Sequence, residues 1–487
     1  MAITRAGATG ARGRTRPDAP VHEMADVRGE RADADKLAAR TADRIVDEIA
    51  ALGWPDGSVL GSEPELIERY RISRAVFREA VRLLEHQGLA RMRRGPGGGL
   101  VVLSPSGDSA IDAATLYMYF VKATIDEVFE ARIVIEGLIA ELAPIRLGES
   151  DVPALRALLD AEGRDLVADR RLVHRTLAAL TRNPALEFFS DVLNQVAHLY
   201  VEDTALEAGE SVHASSQAHV AILEAVLAGD AGLSSRLMRR HLEVESDHLR
   251  ARNQGTIRLP STMSKDKRGE AVALQILGEI ASHGWPVGER LGSEHELVER
   301  YAVSRAVLRE AVRLLEHHQV VRMRRGPGGG LFVTSPGVTA TTEAVSIYLT
   351  RRSISRRQLF EVRSAVELAL VDRVCTRDDA DGLQLLAASL DAERDVADDR
   401  AQFRDVAQDI HAVLADIGGN RVLELLAKVL VRLTRVKLIS PPVGRGDPTG
   451  DVMRSHEGIV DAITAQDRDL ARLRLRKHLD AVSEWVR

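Results

Sequence analysis

Apolar positions along most of this chain recur at the spacing of an α-helix. In ADRIVDEIAAL (42–52) and AVALQILGEIASHG (271–284) they mark a first helix. A capping box follows each run, Ser62 with Glu65 and Ser293 with Glu296, and predicts a short helix ending near Tyr70 or Tyr301. Ser73 and Ser304 then stand as N-caps of a third helix. On that helix Arg74, Arg78 and Arg82 lie four apart on one face, while Val76, Ala80, Val81 and Leu84 mostly line the other. Next, LARM and LVV flank a glycine-rich tip, which reads as a β-hairpin. By contrast, residues 112–253 and 343–487 lack strand alternation and read as several amphipathic helices, the pattern of a bundle.

The pattern occurs twice because the chain is duplicated. RMRRGPGGGL stands at 91–100 and again at 322–331, an offset of 231. SRAVFREAVRLLEH (73–86) returns as SRAVLREAVRLLEH (304–317) at the same offset. FEARIVIE (129–136) aligns with FEVRSAVE (360–367), still at 231, but HRTLAALTRNPALE (174–187) aligns with HAVLADIGGNRVLE (411–424) at 237. A net six-residue insertion therefore falls between those segments in the second copy. The expected fold is mainly α, with two winged helix-turn-helix domains (35–104 and 267–335) alternating with two all-α bundles (111–252 and 342–487). Residues 1–34 read as a disordered tail and 253–266 as a linker.

Composition narrows the function. With 3% aromatic residues the cores must be built from Leu, Val, Ile and Ala, which favours helices. A net charge of −6 means that any nucleic-acid contact comes from local patches. Cys375 is the single cysteine, so no disulfide framework or CxxC metal site is available, as suits a cytoplasmic protein. The basic N-terminus lacks the apolar stretch of a secretory signal, and no run is long enough to span a membrane.

An arginine stripe alone is usually a solvated helix face. Here Arg74, Arg78 and Arg82, and in the second copy Arg305, Arg309 and Arg313, begin at a helix N-terminus, where a recognition helix meets base edges. A capped short helix precedes them, and a wing carrying Arg91, Arg93 and Arg94, or Arg322, Arg324 and Arg325, follows. Arginine suits guanine and phosphate. Glycines at 95, 97 and 98, and at 326, 328 and 329, let a hairpin tip approach the DNA backbone or a narrow minor groove. The GPGGG tip lacks the GK[ST] ending of a nucleotide-binding loop. The motif Ser-Arg-x-x-x-Arg-Glu-Ala-x-x-x-Leu, with the preceding Ser-Glu-x-Glu-Leu and the glycine wing, resembles the GntR family of bacterial transcription regulators. That resemblance implies that Ser73, Arg74, Arg78 and Gly95–Gly99 touch operator DNA, as do Ser304, Arg305, Arg309 and Gly326–Gly330. Pro64 and His295 stand where many relatives carry a further DNA-contacting Arg, so none is assigned there. Gly88, a helix C′ residue, is Gln319 in the second copy, which predicts a slightly less stable second module.

Three histidines recur in each bundle: His174, His219 and His241, and His411, His456 and His478, with gaps of 45 and 22 in both. Single histidines on helices are more often packed than ligating. Each trio, however, falls on three separate predicted helices and persists while its neighbours change. Neutral imidazoles converging in a bundle suit a divalent metal such as Zn or Ni. These segments resemble the FadR-type effector domain, FCD, whose metal-binding members add an Asp four residues before the first His. Arg170 and Ala407 occupy that place here, with Asp169 and Asp409 off the ideal face. Three histidines can still bind a metal with water or an effector carboxylate completing the shell; alternatively, Arg170 supplies the positive charge itself. The same resemblance implies that Arg132 and Arg363 face an effector carboxylate, although an intrahelical pair with Glu136 or Glu367 explains them equally well.

The resulting expectation is a DNA-binding regulator, a repressor responsive to a small acidic metabolite. It would act as a fused pseudo-dimer on palindromic double-stranded operator DNA, without membrane or catalytic role. Further pairing of two chains is compatible with the sequence. Two other classes are an architectural DNA binder without a ligand and a metal-dependent enzyme fused to DNA-binding modules. Against the enzyme, neither HExxH nor GxSxG occurs.

Overall fold

The computed structural model describes residues 37–103, 107–164, 171–200, 210–252, 268–437 and 448–485, apart from positions 39, 43, 47, 50, 51, 54, 56, 87, 88, 94, 96, 325 and 327. The tail at 1–34 and the linker at 253–266 lie outside these residues. The chain groups into two units, residues 1–104 and 105–487.

In the first unit, residues 37–49 are helical wherever described. Helices Glu63–Tyr70 and Arg74–His86 follow, then the hairpin strands Ala90–Arg93 and Gly99–Val102. The capping box of Ser62 and Glu65 forms as the sequence predicts. The core is made from Ile45, Ile49, Leu66, Phe77, Ala80, Leu84 and Leu100. A third strand, Val59–Gly61, pairs antiparallel with Gly99–Val102 and makes it the centre of the sheet. Three residues are too few for strand alternation to register in a sequence.

The second unit begins with the first bundle and includes the second winged helix. That winged helix consists of helices Arg268–Ser282, Glu294–Arg300 and Arg305–His317, with strands Arg290–Gly292, Val321–Arg324 and Gly330–Val333 in the same sheet order. Ser293 and Ser304 cap the two helices expected to start there. Gln319 holds φ at 57°. A side chain in that left-handed conformation costs about 1–2 kcal/mol, a strain that a glycine would relieve.

Among the described residues, seven helices lie between Gly107 and Arg252 and eight between Val338 and Trp485. The additional one, Arg400–Val406, sits where the offset between copies changes, after Glu393 (equivalent to Glu162) and before His411 (equivalent to His174). The two bundles share one core in which Phe129, Ile139, Leu186 and Leu193 join Val362, Val366, Leu423 and Leu430.

Their polar contacts are reciprocal. Asn183 Nδ2 donates to the Gln358 carbonyl (2.9 Å) and to Glu361 (3.3 Å). Its equivalent, Asn420, donates through Nδ2 to the Glu127 carbonyl (3.1 Å) and to Glu130 (2.8 Å). Gln358 and Glu361 are themselves the counterparts of Glu127 and Glu130. One surface thus meets its own copy, as in an isologous dimer interface. Helix Gly107–Phe120 packs on Val338–Arg351 and also reaches the second winged helix, where Leu116 enters the core and Phe120 meets Trp285 edge-on at 5.3 Å. No described helix is long and apolar enough to cross a membrane.

Candidate functional site

The recognition helices carry their arginines on exposed surface: Arg74, Arg78 and Arg82 in the first copy, and Arg305, Arg309 and Arg313 in the second. Ser73 and Ser304 accept from the backbone N–H groups of Val76 and Val307, both at 3.3 Å, so each acts first as a helix cap. A residue not foreseen from the sequence organises the stripe. Glu63, on the preceding helix, accepts from Arg74 Nε (2.9 Å) and Arg78 Nε (3.1 Å). The hydrogen bond from Arg74 is the main reason its carboxyl lies below the usual range. Glu294 takes Arg309 Nε in the same way (2.9 Å). Bonds through Nε leave the Nη groups to donate to a base edge or phosphate. Arg82 pairs instead with Glu79 at 2.7 Å.

In the wings, Arg93 Nη2 donates to the Gly97 carbonyl at 2.9 Å, and Arg324 lies over the Phe332 ring at 4.3 Å. Arg94 and Arg325 lie outside the described residues. Gly95 and Gly97 adopt φ of 101° and 71°, and Gly326 and Gly328 match them at 100° and 75°. A Cβ on Gly98 would fall 2.3 Å from the Arg93 carbonyl oxygen, and one on Gly329 2.4 Å from that of Arg324. The hairpin itself therefore requires these glycines.

In each bundle the helices bring the three histidines together. All six are buried, and in each trio a ligand atom from every ring lies within 4.8 Å of the others. Ring centroids are 4.8–5.5 Å apart among His174, His219 and His241. They are 4.5–5.4 Å apart among His411, His456 and His478. Carboxylates absent from the sequence-based set orient the rings. His174 Nδ1 bonds Glu136 and His219 Nδ1 meets Glu162 at 3.3 Å; His411 and His456 meet Glu367 and Glu393 through Nδ1, both at 2.7 Å. Outer carboxylates of this kind set the tautomer of a metal-binding histidine and leave Nε2 as the donor atom. Among the described residues Nε2 of His219 and of His411 is buried without a partner, and Nε2 of His456 lies 3.2 Å from that of His478.

Burial pushes His411 down to about 4 and His456 to about 3, and holds His478 well below its usual range. His219 is lowered for the same reason. These imidazoles are neutral at pH 7, the form in which they ligate metals. With their ring nitrogens gathered within 4.8 Å, both trios fit a divalent ion. The family's additional Asp has no equivalent in the second bundle: Ala407 is a buried methyl, and Asp409 is ion-paired with Arg435. Arg170 lies outside the described residues.

Arg132 and Arg363 are both buried, and each donates through Nε to the Glu one turn on, at 3.1 and 2.5 Å. The intrahelical pair and the inward-facing arginine are therefore one arrangement. Burial alone would raise Glu136 and Glu367, but the adjacent histidine and arginine outweigh it and hold both carboxyls at about 2. Each Glu thus ties an arginine to the first histidine of its trio.

Models of two families match this chain twice each. The model for bacterial regulatory proteins of the gntR family covers residues 37–100 and 268–333, and the FCD domain covers 127–244 and 358–481. The chain is similar to the uncharacterized HTH-type transcriptional regulator YcbG of Bacillus subtilis, with 27% identity over 46% of this chain and 92% of that protein. It is likewise 27% identical to the HTH-type transcriptional repressor NanR of Salmonella newport, over 45% of this chain and 86% of the repressor. Among solved structures, a GntR protein of Streptococcus agalactiae matches 44% of this chain and 99% of its own length, with 25% identity and a TM-score of 0.37. YcbG and NanR each correspond to a little under half of the chain, in keeping with the internal duplication. The chain belongs to the GntR family of bacterial transcriptional regulators, with the helix-turn-helix and FCD effector domains both present twice.

Proposed function

We propose that this regulator is a dimer written into one polypeptide, with winged helices at 35–104 and 267–335 reading the two halves of a palindromic operator. The bundles at 111–252 and 342–487 join as the two halves of that dimer. The observation that carries this reading is the reciprocal contact of Asn183 and Asn420 with the same surface on the opposite bundle. Near-identical recognition helices, differing only at Phe77 and Leu308 between positions 73–86 and 304–317, favour two similar half-sites. Repression is supported by the similarity to a repressor.

The regulator responds, through its bundle domains, to a small acidic metabolite. Each histidine trio would hold one divalent ion, Zn or Ni, with a shell completed by water or the effector's carboxylate. When bound, the ion supplies a positive centre for that carboxylate. Arg132 and Arg363 add fixed charge beside it, and Glu136 and Glu367 keep guanidinium and imidazole in register. Effector binding would shift the spacing of the two readers, a coupling free energy between distinct sites.

Arg74→Ala and Arg305→Ala test the readers. Each should weaken binding to an operator selected from random DNA by about 1–3 kcal/mol; unchanged affinity in both would contradict the assignment. Metal analysis tests the trios, with His456→Ala expected to lower the bound amount. A chain that takes up neither Zn nor Ni at any stoichiometry would overturn the metal reading.

A further inference from the structure

The two bundles keep the same arginine, glutamate and histidines, but not the same surroundings. In the first, three nitrogens of Arg132 each have an acceptor: Nε has Glu136 (3.1 Å), Nη1 has Glu245 (2.9 Å) and Nη2 has Asn194 (2.9 Å). The Glu245 carboxylate also lies 3.8 Å from His241 Nε2, so it stands between the guanidinium and the histidine trio. In the second bundle Arg363 bonds Glu367 through Nε, while its Nη2 is buried and has no partner among the described residues. The 237-residue offset that relates His174 to His411 and His241 to His478 places Val431 at the position of Asn194 and Val482 at that of Glu245. Both valines are buried. An unpartnered histidine Nε2 occurs in both pockets, that of His219 and that of His411, so among the described residues the pockets differ at the guanidinium.

We infer that only the second bundle takes the effector, with Arg363 Nη2 receiving its carboxylate, and that Glu245 fills the equivalent place in the first bundle as a built-in substitute. This rests on the reading of the bundles as carboxylate sensors. Charge accounts for the difference. In the first pocket one guanidinium already faces two carboxylates, Glu136 and Glu245, and each of its three nitrogens is engaged, so an incoming anion meets repulsion. In the second pocket Glu367 is the one carboxylate paired with Arg363 among the described residues, and a buried charged donor lacks its acceptor there. A carboxylate supplies what that donor lacks, and such charge-assisted bonds are among the strongest available to a ligand. The first bundle then serves mainly as a packing partner, and the fused dimer has one chemical input.

Equilibrium dialysis of the full chain, with its metal content as purified, against radiolabelled acetate, pyruvate, succinate and citrate counts the sites. Any of these that binds should do so once per chain. Val482→Glu should abolish that binding, and Glu245→Val should raise the count to two; both variants retain the arginine and its paired glutamate. Should Val482→Glu fail to fold, as judged by circular dichroism, Glu245→Val decides, since a count that stays at one contradicts Glu245 as the occupant. Two sites in the unmodified chain, or loss of the single site in Arg132→Gln but not in Arg363→Gln, would overturn the asymmetry while leaving carboxylate sensing intact. Failure of all four acids to bind the unmodified chain at tens of millimolar would remove carboxylate sensing itself, and the inference with it.

Discussion

Replacing Asn420 tests the joint between the bundles. Its Oδ1 accepts from the backbone N–H groups of Val422 (2.9 Å) and Leu423 (3.0 Å), capping helix Arg421–Lys437, while its Nδ2 bonds the Glu127 carbonyl and Glu130 across the interface. Loss of an N-cap costs about 1 kcal/mol, and the two partly buried hydrogen bonds cost about 1 kcal/mol each. Glu130 keeps its bond from Arg373 (2.6 Å), so its carboxylate is not left bare, and the estimate stays near the low end. Asn420→Ala should therefore destabilise the chain by about 3 kcal/mol. Asn420→Asp separates the two roles: it preserves the cap but sets a carboxylate against Glu130, so it should still cost about 2 kcal/mol or more. Urea unfolding followed by circular dichroism measures both, with the slope unchanged if only stability is altered. Asn183→Asp should behave alike, because Asn183 caps Pro184–His198 and bonds the equivalent residues of the other bundle. An Asn420→Asp variant as stable as the parent would mean that the cap is the residue's only role and that the bundles do not pack as described.

Three further outcomes follow from particular contacts. Trp285→Ala should cost about 3–5 kcal/mol, because the ring is buried, meets Phe120 and donates from Nε1 to the Thr334 carbonyl at 2.8 Å; faster amide exchange in both Gly107–Phe120 and Arg268–Ser282 would report the lost joint. Gln319→Gly should stabilise the second winged helix by about 1 kcal/mol in urea melts, by relieving the φ of 57°. Glu63→Gln should loosen Arg74 and Arg78, whose Nε atoms it holds, and so tighten binding to non-specific DNA at low salt while narrowing the margin between operator and random sequence.

Much of this organisation was legible in the sequence because it rests on local or repeated signals. Capping boxes at Ser62 and Ser293 and N-caps at Ser73 and Ser304 are short-range chemistry, and they define helix starts that the structure contains. The histidine trios stood out because both copies keep the same gaps, so a long-range constellation left a regular trace. Glu162 and Glu393 left none: an acid on an amphipathic helix looks solvated until folding buries it beside a ring. Glu63 was hidden for a similar reason, since as a first-turn acid it is already explained by its own helix. The spacing of Arg132 and Glu136 identified the pair but not the third member, His174, which arrives from another helix. Strands Val59–Gly61 and Arg290–Gly292 were too short for alternation to register. Finally, the contact of Phe120 with Trp285 joins one copy's bundle to the other copy's reader, and nothing in either local pattern encodes that pairing.

The central claim is that one chain reads both halves of a palindrome. Native mass spectrometry of the full chain with a selected operator, combined with hydroxyl-radical footprinting, tests it most directly. The predicted result is one chain per duplex with two similar protected half-sites, and loss of protection from one half in Arg74→Ala and from the other in Arg305→Ala. Protection of a single half-site, or two half-sites of unrelated sequence, would contradict it.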